Sequence, residues 1–348
     1  MPEKLSSRDP SLDVVRSLAI VLVLVIHTAG TGLTGYPPGS MDWWGALAWG
    51  APARPAVPLF FMCTGALMLC RDIPLRRLFG HNLLRIVCAM LVWAFAYRLA
   101  GLLAGGGLSP AAIWDAVKGT LLLQHEFHFY YLHILLLVYA FLPAARAFVR
   151  GASRREQEYL LLVWFVTGIL IPLARYFRPF NLVYQVDSWY KMNMAYSAIG
   201  YALLGHYLRQ YGGTIRRRWY HLAFWCGLAL TFGGCAAMSL RSGALNEIFL
   251  EGMSPGPMLM ALGLFGLILG RGKWPVPVVK VTGRLARASF CIYLVHILFL
   301  RALLRLGISS GTSPCLLSIP FVCLLLLVFG WLVWEVLHRI PIVKTWLV

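Results

Sequence analysis

The chain has 348 residues, 59% of them hydrophobic and only 13% charged. Soluble domains carry about a quarter charged residues, so a soluble globular fold and a disordered chain are both excluded. In a soluble protein a net charge of +18 would suggest a polyanionic partner; the rival explanation here is the Lys and Arg excess on the cytoplasmic side of a multi-pass membrane protein.

In chain order, apolar runs of span length predict ten transmembrane helices, over roughly 13–31, 56–70, 81–104, 129–147, 156–176, 191–208, 220–240, 255–270, 287–304 and 317–337. Two further apolar stretches, 43–52 with Trp43, Trp44 and Trp49, and 112–124, are too short to cross and read as interfacial helices. Ten spans put both termini on one side. With that side taken as the cytoplasm, it holds 20 of the 31 Lys and Arg and the other side holds 8, while Arg16, Arg85 and Arg98 lie inside spans. The bias repeats at nearly every loop, so the expected class is an all-α polytopic membrane protein of about ten helices with both termini cytoplasmic. Spread over short loops, this charge marks topology; nucleic acid is not an expected partner, and membrane lipid is.

The start of the chain imitates a secretory signal. However, Asp13 and Arg16 intrude just before the apolar run Leu18 to Ile26 and no small-residue cleavage site follows, so a retained first span is expected. None of the eight cysteines forms a CxxC pair, and they read as packing residues rather than disulfides or metal ligands. No nucleotide-binding glycine loop and no internal repeat is visible.

An ionisable side chain inside a span costs a few kcal/mol and must face protein or water. The first span carries three, Asp13, Arg16 and His27. Arg16 and His27 are eleven residues apart, about three helical turns plus 20°, so they share a face about 16 Å apart along the axis, and Asp13 lies within roughly 40–60° of both. An interfacial Asp13–Arg16 ion pair and a packing histidine would be the bland explanation; three such groups on one stripe weigh against it. Other polar groups recur at similar depth. Arg54 precedes Pro55 and Pro58, with Thr64 after them. Glu126 and His128 open the fourth span, ahead of Tyr130 and Tyr131. Ser289, Tyr293 and His296, at i, i+4 and i+7, share one helix face. His206 reads as structural, and His81, His221 and His338 read as inert groups at the inner interface.

This pattern resembles acyltransferase family 3, a family of integral membrane acyltransferases, over nearly the whole chain. Four elements carry the resemblance: Arg16-x10-His27 with Leu12-Asp13 before it; Arg54-x3-Pro58-Leu59-Phe60-Phe61-Met62 with Thr64-Gly65; His128-x-Tyr130-Tyr131-Leu132 running into Leu142-Pro143; and Ser289-x3-Tyr293-Leu294-x-His296. The short chain, Val186-Asp187-Ser188-Trp189-Tyr190 and Gly256-Pro257-Met258 look like the members that O-acetylate enterobacterial common antigen; related members acylate exopolysaccharides, O-antigen and peptidoglycan. There are departures. Asn82 stands where the family often has the first of two arginines, leaving Arg85 alone, Thr64 replaces a common serine, and Cys291 a common glycine.

The resemblance implies a single acyltransferase-3-like transmembrane domain over 1–348 in the bacterial inner membrane. It also implies acetyl-CoA from the cytoplasm as co-substrate and acyl donor, no metal, and a glycan or lipid-linked sugar as acceptor. CoA phosphates call for cations, and Arg16, Arg85, Arg76 and Arg77 are the expected donor contacts. A hydroxyl is a poor nucleophile and needs a base, for which His is the nearest to neutrality. His27 is therefore expected to act as the base, or as the acyl carrier. Arg16 would anchor CoA or stabilise negative charge, and Asp13 would orient Arg16. Arg54, Thr64, His128, Tyr131, Tyr293 and His296 are expected along the acceptor path. The alternative is a transporter or flippase for a polysaccharide or lipid-linked sugar, because buried charge and broken helices also serve transport. Against it stand the missing repeat halves and a charged stripe confined to one span. A scaffold or sensor subunit is the third reading.

Overall fold

A computed structural model of the protein describes residues 8–182 and 194–348. These residues form helices and connecting turns, and no strand occurs among them. In chain order the helices are α1 (Pro10–Gly35), α2 (Met41–Ala53), α3 (Ala56–Met68), α4 (Leu75–Gly105), α5 (Pro110–Leu121), α6 (Phe127–Gly151), α7 (Arg154–Ala174), α8 (Met194–Tyr211), α9 (Arg217–Ser242), α10 (Pro255–Leu269), α11 (Val276–Arg305), α12 (Cys315–Leu337) and α13 (Pro341–Trp346). Local chemistry fixes several ends. The Asp9 carboxylate accepts from Ser11 N and Pro10 opens α1. Ser153 and Glu156 form a reciprocal capping box on α7. Gly106 and Gly243, with φ of 67° and 69°, close α4 and α9 in the left-handed region that favours glycine.

Seven of these helices, α1, α4, α6, α7, α9, α11 and α12, are long and apolar enough to cross a membrane. The protein is an all-α polytopic membrane protein. The other three expected spans are also helical. Two are short: α3 has 13 residues and α10 has 15, about 20 and 22 Å at 1.5 Å per residue. The third, α8, has 18 residues and follows 183–193, which lie outside the described residues together with Lys191 and the Asp187 to Tyr190 stretch.

Helix α1 lies at the centre and packs on α2, α3, α11 and α12. That position explains how one apolar helix tolerates Arg16 and His27, whose stripe is covered by protein. One expectation fails. Segment 43–52 is not a surface helix: Trp43, Ala46, Leu47 and Ala51 of α2 are fully buried against α1, α9 and α12. Its Gly45, Ala46, Gly50 and Ala51 let backbones approach closely, which hydropathy and length alone do not register. By contrast, α5 carries Ile113, Trp114 and Leu121 exposed.

The α3–α8 contact depends on glycine. A Cβ at Gly65 would run into the Ala202 backbone, and one at Gly205 into the Met62 backbone. That close approach seats Thr64, the neighbour of Gly65, beside the site.

Many basic residues meet at one end of the bundle. Arg8 donates to Gly283 O at 2.7 Å, Arg146 to Ile73 O at 2.9 Å and Arg209 to Ala66 O at 2.6 Å, and Arg209 also pairs with Asp9 at 3.5 Å. The opposite end is closed by Thr31 against Ser310 at 2.9 Å and by Asp42 accepting from Cys315 N at 2.7 Å. Helices α1 and α11 therefore run parallel, and their polar stripes face each other.

Candidate active site

A cavity of about 960 Å³ lies at the basic end, near the upper limit of the roughly 300–1,000 Å³ typical of small-molecule sites. Five cations line it, Arg16 from α1, Arg85 from α4, Arg284 and Arg287 from α11, and Lys344 from α13. Its deep boundary is aromatic and includes Phe60, Tyr131 and Tyr293, with the Tyr131 and Tyr293 rings 5.3 Å apart. Arg16 donates to Ser289 Oγ at 3.3 Å, and that hydroxyl in turn donates to Ala286 O at 2.9 Å. Arg85 stacks over the Phe290 ring at 5.4 Å and donates to the Val348 carbonyl, while its Nε has no partner among the described residues. Thr64 also lines the cavity; its hydroxyl donates to Phe60 O at 3.0 Å, leaving its oxygen free to accept.

Two expectations for this end are corrected. Asp13 does not hold Arg16. Both carboxylate oxygens are taken by Arg8, Oδ1 at 3.0 Å from Nη2 and Oδ2 by Nε. Arg8, just ahead of the helix, reaches back over it to Gly283, while the long Arg16 side chain extends to Ser289 on α11. Arg76 and Arg77 are exposed on the first turn of α4 and do not line the cavity. Their expected place is filled by Arg284, Arg287 and Lys344, brought there by helices remote in sequence.

Behind the tyrosines lies a cluster of three imidazoles. The His27 ring centroid is 4.9 Å from His296 and 6.4 Å from His128, and His128 is 5.2 Å from His296. His128 and His296 are buried, at 1% and 0% exposure, whereas His27 is only partly so. The cluster touches the cavity boundary through Tyr293, whose ring centroid is 5.8 Å from both His128 and His296 and whose hydroxyl donates to the His128 carbonyl. His27 itself does not line the cavity. It lies beside Phe127, which is exposed, and within electrostatic reach of Arg54. Arg54 occupies the break between α2 and α3, with its Nε unpartnered among the described residues and its Nη2 3.8 Å from Glu247. No group of three or more His, Cys, Asp or Glu among the described residues is arranged to hold a metal ion.

A sequence model of the acyltransferase family 3 domain matches residues 9–335, almost the full length. The chain belongs to acyltransferase family 3. It is thus a membrane acyltransferase. No curated protein and no solved structure matches the chain.

The structure thus brings together Arg16, Arg85, Thr64, Tyr131 and Tyr293 around one cavity, with His27, His128 and His296 behind it, Arg54 within electrostatic reach of His27, and Asp13 facing Arg8. Sequence reasoning missed Arg284, Arg287 and Lys344, read only as topological charge, and His81 and His338, read as inert although both line the cavity. Helical period gave no signal for the first two, since Arg284 falls about 140° around the helix from Ser289 and about 180° from Tyr293.

Proposed function

We propose that the protein moves an acetyl group from cytoplasmic acetyl-CoA to a hydroxyl of a cell-surface or lipid-linked glycan, in the bacterial inner membrane. The observation that carries this reading is the arrangement along one axis. A cavity lined by five cations adjoins a tyrosine boundary, and a histidine cluster adjoins the far side of that boundary. The phosphates of CoA suit the cationic end, and the positive-inside count assigns that end to the cytoplasm. The whole of 1–348 is read as one transmembrane domain serving this reaction.

His27 does not line the donor cavity and lies against the exposed Phe127, which favours the base over the acyl carrier. The acceptor hydroxyl gives its proton to an imidazole nitrogen of His27. Its oxygen attacks the thioester carbonyl, the carbon–sulfur bond breaks, and CoA leaves into the basic cavity as a thiolate, the proton held by His27 passing to that sulfur or to water. Arg54, within electrostatic reach of His27 and incompletely paired, lowers the energy of negative charge developing there. Arg16 and Arg85 hold donor phosphate, with Arg284, Arg287 and Lys344 adding charge at the mouth. Asp13 keeps Arg8 on α11 and so sets the entrance to α1 rather than the chemistry.

Membranes containing the protein, incubated with radiolabelled acetyl-CoA, test this reading. The expected result is label in a glycan, or acetyl-CoA lost to hydrolysis, in wild type and neither with His27→Ala. Normal glycan acetylation by a correctly inserted His27→Ala variant would overturn the assignment.

A further inference from the structure

Three histidines within 6.4 Å of each other, ring to ring, serve proton transfer only if each ring presents a defined nitrogen. The hydrogen-bond partners of two of them define it. His296 Nδ1 lies 2.6 Å from Tyr293 O. A carbonyl oxygen only accepts, so His296 Nδ1 carries the proton and Nε2 keeps its lone pair. That Nε2 is buried with no partner among the described residues.

His128 is governed by Tyr97, a residue with no signal in the sequence. The Tyr97 hydroxyl bridges two backbone groups of α11 that face each other across one helical turn. It lies 2.9 Å from Leu294 O and 3.2 Å from Leu298 N. Leu294 O can only accept, so the hydroxyl proton is committed there, and Leu298 N–H is received on one oxygen lone pair. With its single proton used on Leu294 O, the hydroxyl can act toward any further partner only as an acceptor. The next contact, His128 Nε2 at 3.4 Å, therefore has the histidine as donor. His128 is then protonated on Nε2, and its Nδ1 holds the lone pair. That Nδ1 is likewise buried and unpartnered among the described residues. Tyr97 is itself held in place: Arg301 lies over its ring at 5.9 Å and grips Glu126 bidentately at 2.9 and 2.6 Å, two residues before His128.

We propose that Tyr97 is a positioning residue that locks His128 as the Nε2–H tautomer, so that His128 and His296 each offer His27 or its acceptor hydroxyl a buried, vacant acceptor nitrogen. Two unsatisfied acceptors are costly in an apolar interior, and a hydroxyl or an imidazolium N–H brought into the cluster satisfies them. The His27 imidazolium formed when the acceptor loses its proton is the group they stabilise. This rests on the acyl-transfer reading for its consequence, but the tautomer itself does not.

The test has one readout independent of activity. Nitrogen NMR of isotope-labelled histidine in the full chain in lipid nanodiscs, with His128→Gln used to assign the His128 signals, reports which ring nitrogen is protonated. In wild type the expected state of His128 is Nε2 protonated and Nδ1 bare; in Tyr97→Phe, which keeps the ring and loses the hydroxyl, the lock is lost and the Nδ1–H form appears. In radiolabelled acetyl transfer Tyr97→Phe lowers kcat on the order of 10- to 100-fold with donor KM unchanged. An Nδ1–H His128 in wild type, or a Tyr97→Phe variant with an unchanged tautomer or unchanged kcat, overturns the proposal. The wild-type spectrum decides even if the variant fails to fold. Were wild type to show the expected tautomer yet transfer no acyl group, the functional reading would fall and the lock would stand.

Discussion

The two sides of the tyrosine boundary are built on opposite principles. The cavity side gathers Arg16, Arg85, Arg284, Arg287 and Lys344 from four helices, several of them exposed, and Arg85 is only partly paired. Such groups attract a polyanion over distance and adapt to it, and salt weakens them. The histidine side holds three imidazoles in close contact, with His128 and His296 buried and each tied to a tyrosine. On the proposed function it serves proton transfer at one place, a role that tolerates little displacement. On that same proposed function, binding and chemistry are separated along one axis of the bundle, and their determinants are expected to fail separately.

The strongest break of that separation comes from His27→Ala. Turnover falls by about a thousandfold while donor affinity is kept, as measured by steady-state acetyl transfer with purified protein. Arg16→Ala comes next. Losing a charge-assisted contact raises donor KM by about 10- to 100-fold, and Arg16→Lys recovers only part of it because the planar guanidinium is lost. A smaller effect belongs to Arg284→Ala with Arg287→Ala. These exposed cations are expected to change donor KM by a few-fold at low ionic strength and hardly at all at about 0.5 M salt, which a KM titration against salt reads directly. The smallest is Asp13→Asn. Because Asp13 faces Arg8 and not Arg16, kcat and donor KM stay near wild type, and thermal unfolding in detergent registers a loss of about 1–3 kcal/mol for the weakened buried pair. A large loss of donor affinity from Asp13→Asn would mean that the acid acts on Arg16 after all.

Much of this axis was legible in advance because helices impose a period. The eleven-residue step from Arg16 to His27 and the i, i+4, i+7 set Ser289, Tyr293 and His296 each predicted one face, and the structure sets these faces against each other through Arg16 with Ser289 and His27 with His296. What period cannot report is which remote ends converge. Arg284, Arg287 and Lys344 looked like any other cytoplasmic charge, and Arg76 and Arg77, closer to Arg85 in sequence, drew the donor assignment although they do not line the cavity. The partner of Asp13 was missed for a different reason: Arg8 precedes the helix, where a wheel projection no longer applies. Tyr97 gave no signal, since a tyrosine in an apolar span is ordinary until its hydroxyl is seen between Leu294 and Leu298. Helix α2 looked interfacial because its length falls short of a span, whereas its small residues bury it.

The separation of binding from chemistry is tested most directly by the dissociation constant of acetyl-CoA, measured on purified wild type and on His27→Ala in nanodiscs. The expected result is an unchanged constant in a variant that no longer transfers acetyl. A His27→Ala protein that has lost donor binding, or that still acetylates its acceptor, would contradict it.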